Sequence, residues 1–103
     1  MKRNKHLPLT ETTYYILLAL AEPAHGYLIM QKVEEMSNGD VKIAAGTMYG
    51  AIENLVKLKW MCSVPTSDKR RKVYQITPAG REIVRLETER IRKLSHLAQT
   101  FDF

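Results

Sequence analysis

The sequence predicts a mainly α-helical fold with one small β-hairpin. Four segments carry apolar residues at helical spacing with capping or stop signals at their ends. Two short segments on either side of residue 70 are rich in strand-forming residues. The 103 residues are enough for one domain with a thin core. We therefore expect association with a second chain to add to its stability.

The first two helices are marked by their end signals. Thr10 is a good N-cap for a helix over residues 10–21, and Pro23 follows its end. Apolar residues surround almost its whole circumference, which predicts burial on more than one side. The second helix is predicted over residues 26–37, where the turn sequence Asn38-Gly39-Asp40 ends it.

A short extended strand over residues 41–43 and a third helix over residues 46–58 follow. At helical spacing the third helix has an apolar face and an opposite face of small, polar and cationic residues, with Tyr49 on the border. Such a polar face fits a nucleic-acid groove. The apolar face contains Met48, Ala51, Ile52, Leu55 and Leu58; the polar face contains Thr47, Gly50, Glu53, Asn54 and Lys57.

The strand-forming segments 60–64 and 72–76 predict a β-hairpin with a polar turn. Its tip holds four consecutive cations, Lys69, Arg70, Arg71 and Lys72. Thr77 then caps a last helix over residues 79–100, with Pro78 at its first position, where a missing N–H does no harm.

This last helix is long for so small a chain, and one domain cannot cover its whole apolar stripe. Together with the first helix it predicts a homodimer interface. Glu87 and Arg90 lie within the stripe and are interpreted either as a pair across the dimer or as residues at its rim. The predicted interface consists of Tyr14, Leu17, Ile83, Leu86, Ile91, Leu94, Leu97 and Phe101.

The element order predicts a winged helix-turn-helix, in which the third helix lies in the DNA major groove and the hairpin contacts the DNA nearby. We expect a flexible basic arm over residues 1–8, a winged-helix DNA-binding domain over 9–78 and a dimerisation helix over 79–103. A net charge of +5 is compatible with a polyanionic partner but does not establish one.

The predicted contacts follow from side-chain chemistry. The four cations at the hairpin tip suit phosphates, although such a run is also compatible with a solvated turn. Thr47, Asn54 and Lys57 suit base edges, and Gly50 removes bulk where the helix would approach DNA closely. Tyr49 is either half-buried or a phosphate donor, and Asn54 either reads a base or faces water.

Several segments together resemble the PadR family of bacterial transcriptional regulators, in the branch with a single C-terminal helix. The resemblance covers residues 9–81, and its motifs are specific in combination. It is carried by Leu9-Thr10-Glu11, Ile16-Leu17-Leu18-Ala19-Leu20, His25-Gly26-Tyr27-Leu28-Ile29, Gly46-Thr47-Met48-Tyr49-Gly50-Ala51-Ile52-Glu53-Asn54-Leu55 and Arg71-Lys72-Val73-Tyr74-Gln75-Ile76-Thr77-Pro78-Ala79-Gly80-Arg81.

The resemblance implies a homodimeric repressor of a double-stranded DNA operator, released in many members by a small-molecule effector near the dimer interface. It implies that Tyr27 lies near the DNA backbone and that Lys69 to Lys72 form the wing. Thr47, Tyr49, Gly50 and Lys57 would belong to the recognition helix. The chain departs from the family pattern at Asn54, often basic there, and at Lys59, often glycine, where a left-handed backbone costs about 1–2 kcal/mol.

Other functional classes find little support in the sequence. No combination of His, Cys and carboxylate residues has catalytic or metal-ligand spacing, so we expect no enzyme, metal or cofactor. No apolar run is long enough for a membrane span or a signal peptide, and we expect a cytoplasmic protein. Two alternatives remain: a winged-helix protein-interaction adaptor that does not read DNA, and a basic nucleic-acid binder without operator choice.

Overall fold

The computed structural model describes residues 3–68 and 70–103 and contains four helices and a small antiparallel sheet. The strand order in the sheet is β1-β3-β2. In chain order the elements are α1 (Glu11–Ala19), β1 (Ala24–His25), α2 (Gly26–Met36), α3 (Ala45–Lys57), β2 (Met61–Val64), β3 (Val73–Ile76) and α4 (Pro78–Gln99). This is the mainly α-helical fold with a small hairpin that the sequence predicts.

The helix starts confirm the predicted caps. The Thr10 side chain accepts a hydrogen bond from the Thr13 N–H at the start of α1, and Thr77 accepts one from the Gly80 N–H at the start of α4. Pro78 occupies the first turn of α4. Each cap satisfies a backbone donor that has no partner within its helix.

The third strand of the sheet lies elsewhere than predicted. Residues 41–43 form no strand, and the strand that completes the sheet is β1, only two residues long, before α2. Ala24 pairs with Tyr74 and His25 with Val73 in antiparallel register. The prediction was wrong because so short a strand is defined by its partner rather than by local propensity.

The core lies between the first three helices, the sheet and the first half of α4. Its members include the predicted inward face of α3, and Trp60 and Met61 close it beneath the hairpin. The fully or nearly fully buried apolar residues are Ile16, Leu17, Ala19, Leu20, Ala24, Ile29, Val33, Ile43, Met48, Ile52, Leu55, Trp60, Met61 and Ile83.

A tight turn connects α3 to the hairpin and contacts the start of α4. Lys59 has a φ of 64°, the left-handed conformation expected where relatives often have glycine. Its carbonyl accepts a 2.6 Å hydrogen bond from the Thr77 hydroxyl. A Cβ on Gly80 would lie 2.1 Å from the Trp60 carbonyl oxygen, so only glycine permits this approach. The turn therefore fixes how the hairpin projects from the core.

The two halves of α4 differ in burial. Gly80, Ile83 and Glu87 are buried against the rest of the chain, whereas nearly all residues after Arg90 are exposed. The described part of the arm also packs on the fold: Leu7 contacts the core and the His6 ring meets Trp60 edge-on at 5.1 Å.

Candidate nucleic-acid interface

The outward face of α3 is the polar surface that helical spacing predicts. Met48, Ile52 and Leu55 are buried, and the residues between them point away from the core. No acidic residue lies in the first turn, and Ala44 at the N-cap makes no side-chain hydrogen bond. The first-turn N–H groups of α3 are therefore not capped by a side chain. The exposed residues include Thr47, Gly50, Glu53, Asn54 and Lys57.

The surroundings of Tyr49 and Gly50 bear on the roles that the sequence predicts for them. Tyr49 is 69% exposed, which excludes the interpretation of a half-buried core residue. A Cβ on Gly50 would meet no atom within 4 Å, so the packing of this chain does not require a glycine there. The absence of a side chain at residue 50 leaves room for a partner outside the chain.

The hairpin carries its cations at an exposed tip between β2 and β3. Arg70, Arg71 and Lys72 are exposed, and the predicted fourth cation, Lys69, lies outside the described residues. Arg70 has a loose pair with Asp68, 3.9 Å from Nε to Oδ1. Among the ion pairs within residues 3–68 and 70–103, none includes Arg71 or Lys72. Their charges are available to an anionic partner.

A concave cavity of about 400 Å³ joins the start of α2, the side of α3 and the hairpin. It brings together five predicted contact residues from three elements, and Thr47, Asn54 and Lys57 continue the surface along α3. It also contains His25, the N-cap of α2, which is not among the predicted contact residues. The cavity is lined by His25, Gly26, Tyr27, Tyr49, Ile52, Arg70, Arg71, Lys72 and Tyr74.

The predicted dimer residues divide into two groups. Leu17 and Ile83 are only 1% and 3% exposed because they belong to the core of the single chain, so they offer no surface to a partner. Tyr14 is half-buried, and its hydroxyl lies 2.6 Å from the Thr88 hydroxyl. Leu86 is also half-buried. The fully exposed group lies in the second half of α4: Ile91, Leu94, Leu97 and Phe101.

Glu87 is buried on α4 and makes its contacts within the chain. Its carboxylate accepts hydrogen bonds from Arg90 and, at 2.7 Å, from the Leu9 N–H. The Arg90 hydrogen bond is the main reason that the pKa of Glu87 is lowered, and it outweighs the effect of burial. Glu87 therefore connects the start of the fold to α4. Its contacts lie within one chain and its side chain is buried, so it neither forms a pair across a dimer nor lies at the rim.

None of the helices among the described residues has the length and apolar character needed to cross a membrane.

Solved structures share this architecture. A transcriptional regulator from Clostridium thermocellum is 22% identical, with a TM-score of 0.70 over 88% of this chain and 91% of that one. A PadR family transcription regulator from Clostridium difficile R20291 is 18% identical, with a TM-score of 0.73 over 89% and 98%. RosR of H. salinarum is 23% identical, with a TM-score of 0.69 over 94% and 97%. These similarities establish the fold.

Sequence comparison extends the similarity. An uncharacterised 37.1 kDa protein of transposon TN4556 from Streptomyces fradiae is 33% identical over 81 residues, or 78% of this chain. The matched region is only 23% of that protein's length. The family model described as the transcriptional regulator PadR-like family matches residues 16–86. Because this match covers well over half of the chain, the protein belongs to the PadR-like family of transcriptional regulators.

Proposed function

We propose that the chain is a sequence-specific repressor that binds a double-stranded DNA operator as a homodimer in the cytoplasm. The observation that carries the proposal is the single concave surface shared by α2, α3 and the hairpin. It combines a polar helix face, suited to base edges, with cations and phenol hydroxyls suited to phosphates.

The contacts divide by chemistry. Thr47, Asn54 and Lys57 on α3 are positioned to face bases in the major groove, while Gly50 lets the helix approach closely. Arg70, Arg71 and Lys72 hold phosphates beside that groove, together with the hydroxyls of Tyr27 and Tyr49. Lys69, which lies outside the described residues, is proposed from the sequence as a fourth cation of this group. Phosphate contacts set the position of the protein, and the α3 contacts select the sequence.

The exposed apolar half of α4 supports the homodimer. Ile91, Leu94, Leu97 and Phe101 are 41%, 53%, 53% and 67% exposed in one chain. Burying each such side chain in an interface contributes on the order of 1–2 kcal/mol. A two-fold arrangement of these helices would place the two α3 helices in successive major grooves, about 34–36 Å apart, on a pseudo-palindromic operator.

A groove beside the same part of α4 supports release by a small-molecule effector. It has a volume of about 580 Å³ and combines apolar side chains, including Leu86, Leu94 and Leu97, with charged ones such as Arg90 and Lys93. Ligand sites commonly have this size and this mixture. An effector bound there would change the angle between the two DNA-reading units and release the operator.

The groove-reading proposal is tested by sequence selection. Random duplexes enriched by the unchanged protein are compared with those enriched by Thr47→Ala and Asn54→Ala, with Thr12→Ala on α1 as the matched control. We expect each α3 variant to lose preference at one or two positions per half-site, at a cost of about 1–3 kcal/mol per lost base contact. Unaltered preference in both α3 variants would contradict base reading by α3.

A further inference from the structure

The cavity between α2, α3 and the hairpin contains two polar side chains that the proposed function does not use, His25 and Tyr74. His25 is half-buried at the N-cap of α2 and lines the cavity beside Tyr27. Its ring stacks nearly parallel to the Tyr27 ring, with an interplanar angle of 12° and centroids 6.5 Å apart. The Tyr27 ring therefore flanks one face of the histidine.

The N-cap hydrogen bond determines which ring nitrogen of His25 can donate. Nδ1 accepts a 3.2 Å hydrogen bond from the Leu28 N–H, so Nδ1 carries no proton. The neutral imidazole then carries its proton on Nε2, which becomes the one donor that the ring offers. Capping by Nδ1 thus leaves Nε2 as the ring nitrogen that can donate to a partner.

The Nε2 atom is free to meet a ligand. Among residues 3–68 and 70–103, the hydrogen bonds of His25 use Nδ1 and leave Nε2 without a partner. No side-chain nitrogen or oxygen of those residues is both buried and unpartnered, so Nε2 is not sealed inside the fold. An accessible N–H at the wall of a concave surface is a ready donor to an oxygen ligand.

The charges around the cavity favour an anionic ligand. Arg70, Arg71 and Lys72 supply three cations, and no carboxylate is among the described residues that line the cavity. Tyr27, Tyr49 and Tyr74 add three phenol hydroxyls. A group with several charged oxygens satisfies such a mixture of cations and neutral donors. In the proposed complex the DNA backbone passes the cavity, because the cavity lies between α3 and the hairpin.

We infer that His25 is a phosphate-binding residue, whose Nε2–H donates to one phosphodiester group of the DNA while Nδ1 caps α2. The inference rests on the proposed function, because the phosphate is that of a bound duplex. It assigns His25 a part that differs from that of the cations: it adds a directed hydrogen bond and neutralises no charge.

Two variants, His25→Asn and His25→Gln, separate the roles of the two ring nitrogens, because each keeps one role and loses the other. In His25→Asn the side-chain oxygen stands where Nδ1 does and keeps the cap, but the far donor is lost. In His25→Gln a donor reaches the position of Nε2, but the cap is lost. We expect His25→Asn to keep its Tm and to bind every duplex about tenfold more weakly. We expect His25→Gln to melt about 5 °C lower but to keep most of its DNA affinity.

Salt and a modified backbone give the decisive readouts. The slope of log affinity against log salt stays unchanged in His25→Asn, because a neutral donor releases no counterion, whereas Arg71→Ala lowers it by about 1. In duplexes with one neutral methylphosphonate per half-site, the difference between the unchanged protein and His25→Asn disappears at a single backbone position. His96→Asn on exposed α4 is the matched control and binds as the unchanged protein does.

The outcomes distinguish this inference from the function on which it rests. Equal DNA affinity of His25→Asn and the unchanged protein overturns the inference and leaves the function standing. A loss in His25→Gln as large as in His25→Asn overturns it as well, because the far donor would then be irrelevant. A slope lowered by about 1 in His25→Asn would make the histidine a cation and overturn the neutral-donor assignment. Failure of the unchanged protein to bind any duplex overturns both.

Discussion

The outward face of α3 and the second half of α4 are both exposed helical surfaces, but their chemistry is opposite. The α3 face presents Thr47, Asn54 and Lys57, and the α4 face presents Leu94 and Leu97 among other apolar side chains. A polar and cationic surface gains by contacting phosphates and base edges, whereas an apolar one gains by leaving water. The difference is the basis for proposing two separate partners for one small chain: DNA at α3 and a second copy at α4.

The largest expected effect comes from making the two surfaces alike. Leu94→Glu combined with Leu97→Glu places charge in the apolar half of α4 and should convert a dimer into a monomer. DNA affinity should then fall about 100-fold or more, because each monomer holds only one half-site. Sedimentation and titration measure the two effects. The matched pair Arg92→Glu and Gln99→Glu, on the opposite side of α4, should remain dimeric; a dimeric Leu94/Leu97 variant would refute the assigned interface.

Alanine substitutions at Gly80 and Gly50 should have different effects on stability, because one glycine lies in the buried half of α4 and the other on the exposed α3 face. Gly80→Ala should lower the free energy of unfolding by about 3 kcal/mol, because its Cβ would meet the Trp60 carbonyl oxygen at 2.1 Å. Gly50→Ala should leave stability equal or raise it by about 0.5–1 kcal/mol, because nothing lies within 4 Å. Gly50→Ala should instead weaken DNA binding. Denaturant titration measures the change in stability, and DNA titration measures the change in affinity. Gly46→Ala is the control for helix propensity, because a Cβ on Gly46 would also meet no atom within 4 Å.

The hairpin cations test the electrostatic side of the α3 surface. Arg70→Ala with Arg71→Ala should weaken binding to all duplexes by about tenfold or more at moderate salt. The slope of log affinity against log salt should fall by up to about 2. Titrations at several salt concentrations measure both. An unchanged slope would remove the hairpin from the DNA interface.

The pH dependence of stability tests the link that Glu87 makes between the start of the fold and α4. Because Arg90 holds the pKa of Glu87 below its usual 4.5, the ionised carboxylate stabilises the fold at higher pH. This contribution is lost as the pH falls through the lowered pKa. Glu87→Gln should therefore cost about 2 kcal/mol near neutral pH and less in acid. Thermal melts from pH 3 to 7 check it; Glu82→Gln, on the exposed side of α4, should change stability far less.

The smallest effect is expected at Lys59. Its φ of 64° is unfavourable for a residue with a side chain, so Lys59→Gly should raise the free energy of unfolding by about 1 kcal/mol. Because Lys59 lies between α3 and the hairpin, DNA affinity should change little. Denaturant titration measures the gain. A loss of stability would show that the lysine side chain makes contacts that outweigh the backbone cost.

Local signals in the sequence predict most of the fold. The caps at Thr10 and Thr77 and the inward face of α3 follow from the residues themselves, because they depend on neighbours one to four positions away. Features that depend on distant pairing do not. β1 exists through its partner β3, and burial of Glu87 depends on the Leu9 N–H, 78 positions away in the sequence. Neither the strand β1 nor the burial of Glu87 can be predicted from the local sequence pattern.

The candidate site follows the same division. Helical spacing places Thr47, Asn54 and Lys57 on one face without any knowledge of the fold. The cavity around His25 requires the start of α2 to lie beside the hairpin, which only the assembled sheet provides. His25 is therefore a site residue that sequence reasoning missed, although its place directly before a predicted helix was a signal for an N-cap.

The central claim, that the α3 surface reads DNA, is tested most directly by one titration. The protein is titrated against the duplex enriched from the random pool and against a scrambled duplex of the same composition, at two salt concentrations. We predict a preference for the enriched duplex of about 1000-fold or more, with two chains bound per duplex. Equal, salt-sensitive affinity for both duplexes, or no binding to either, would contradict the account.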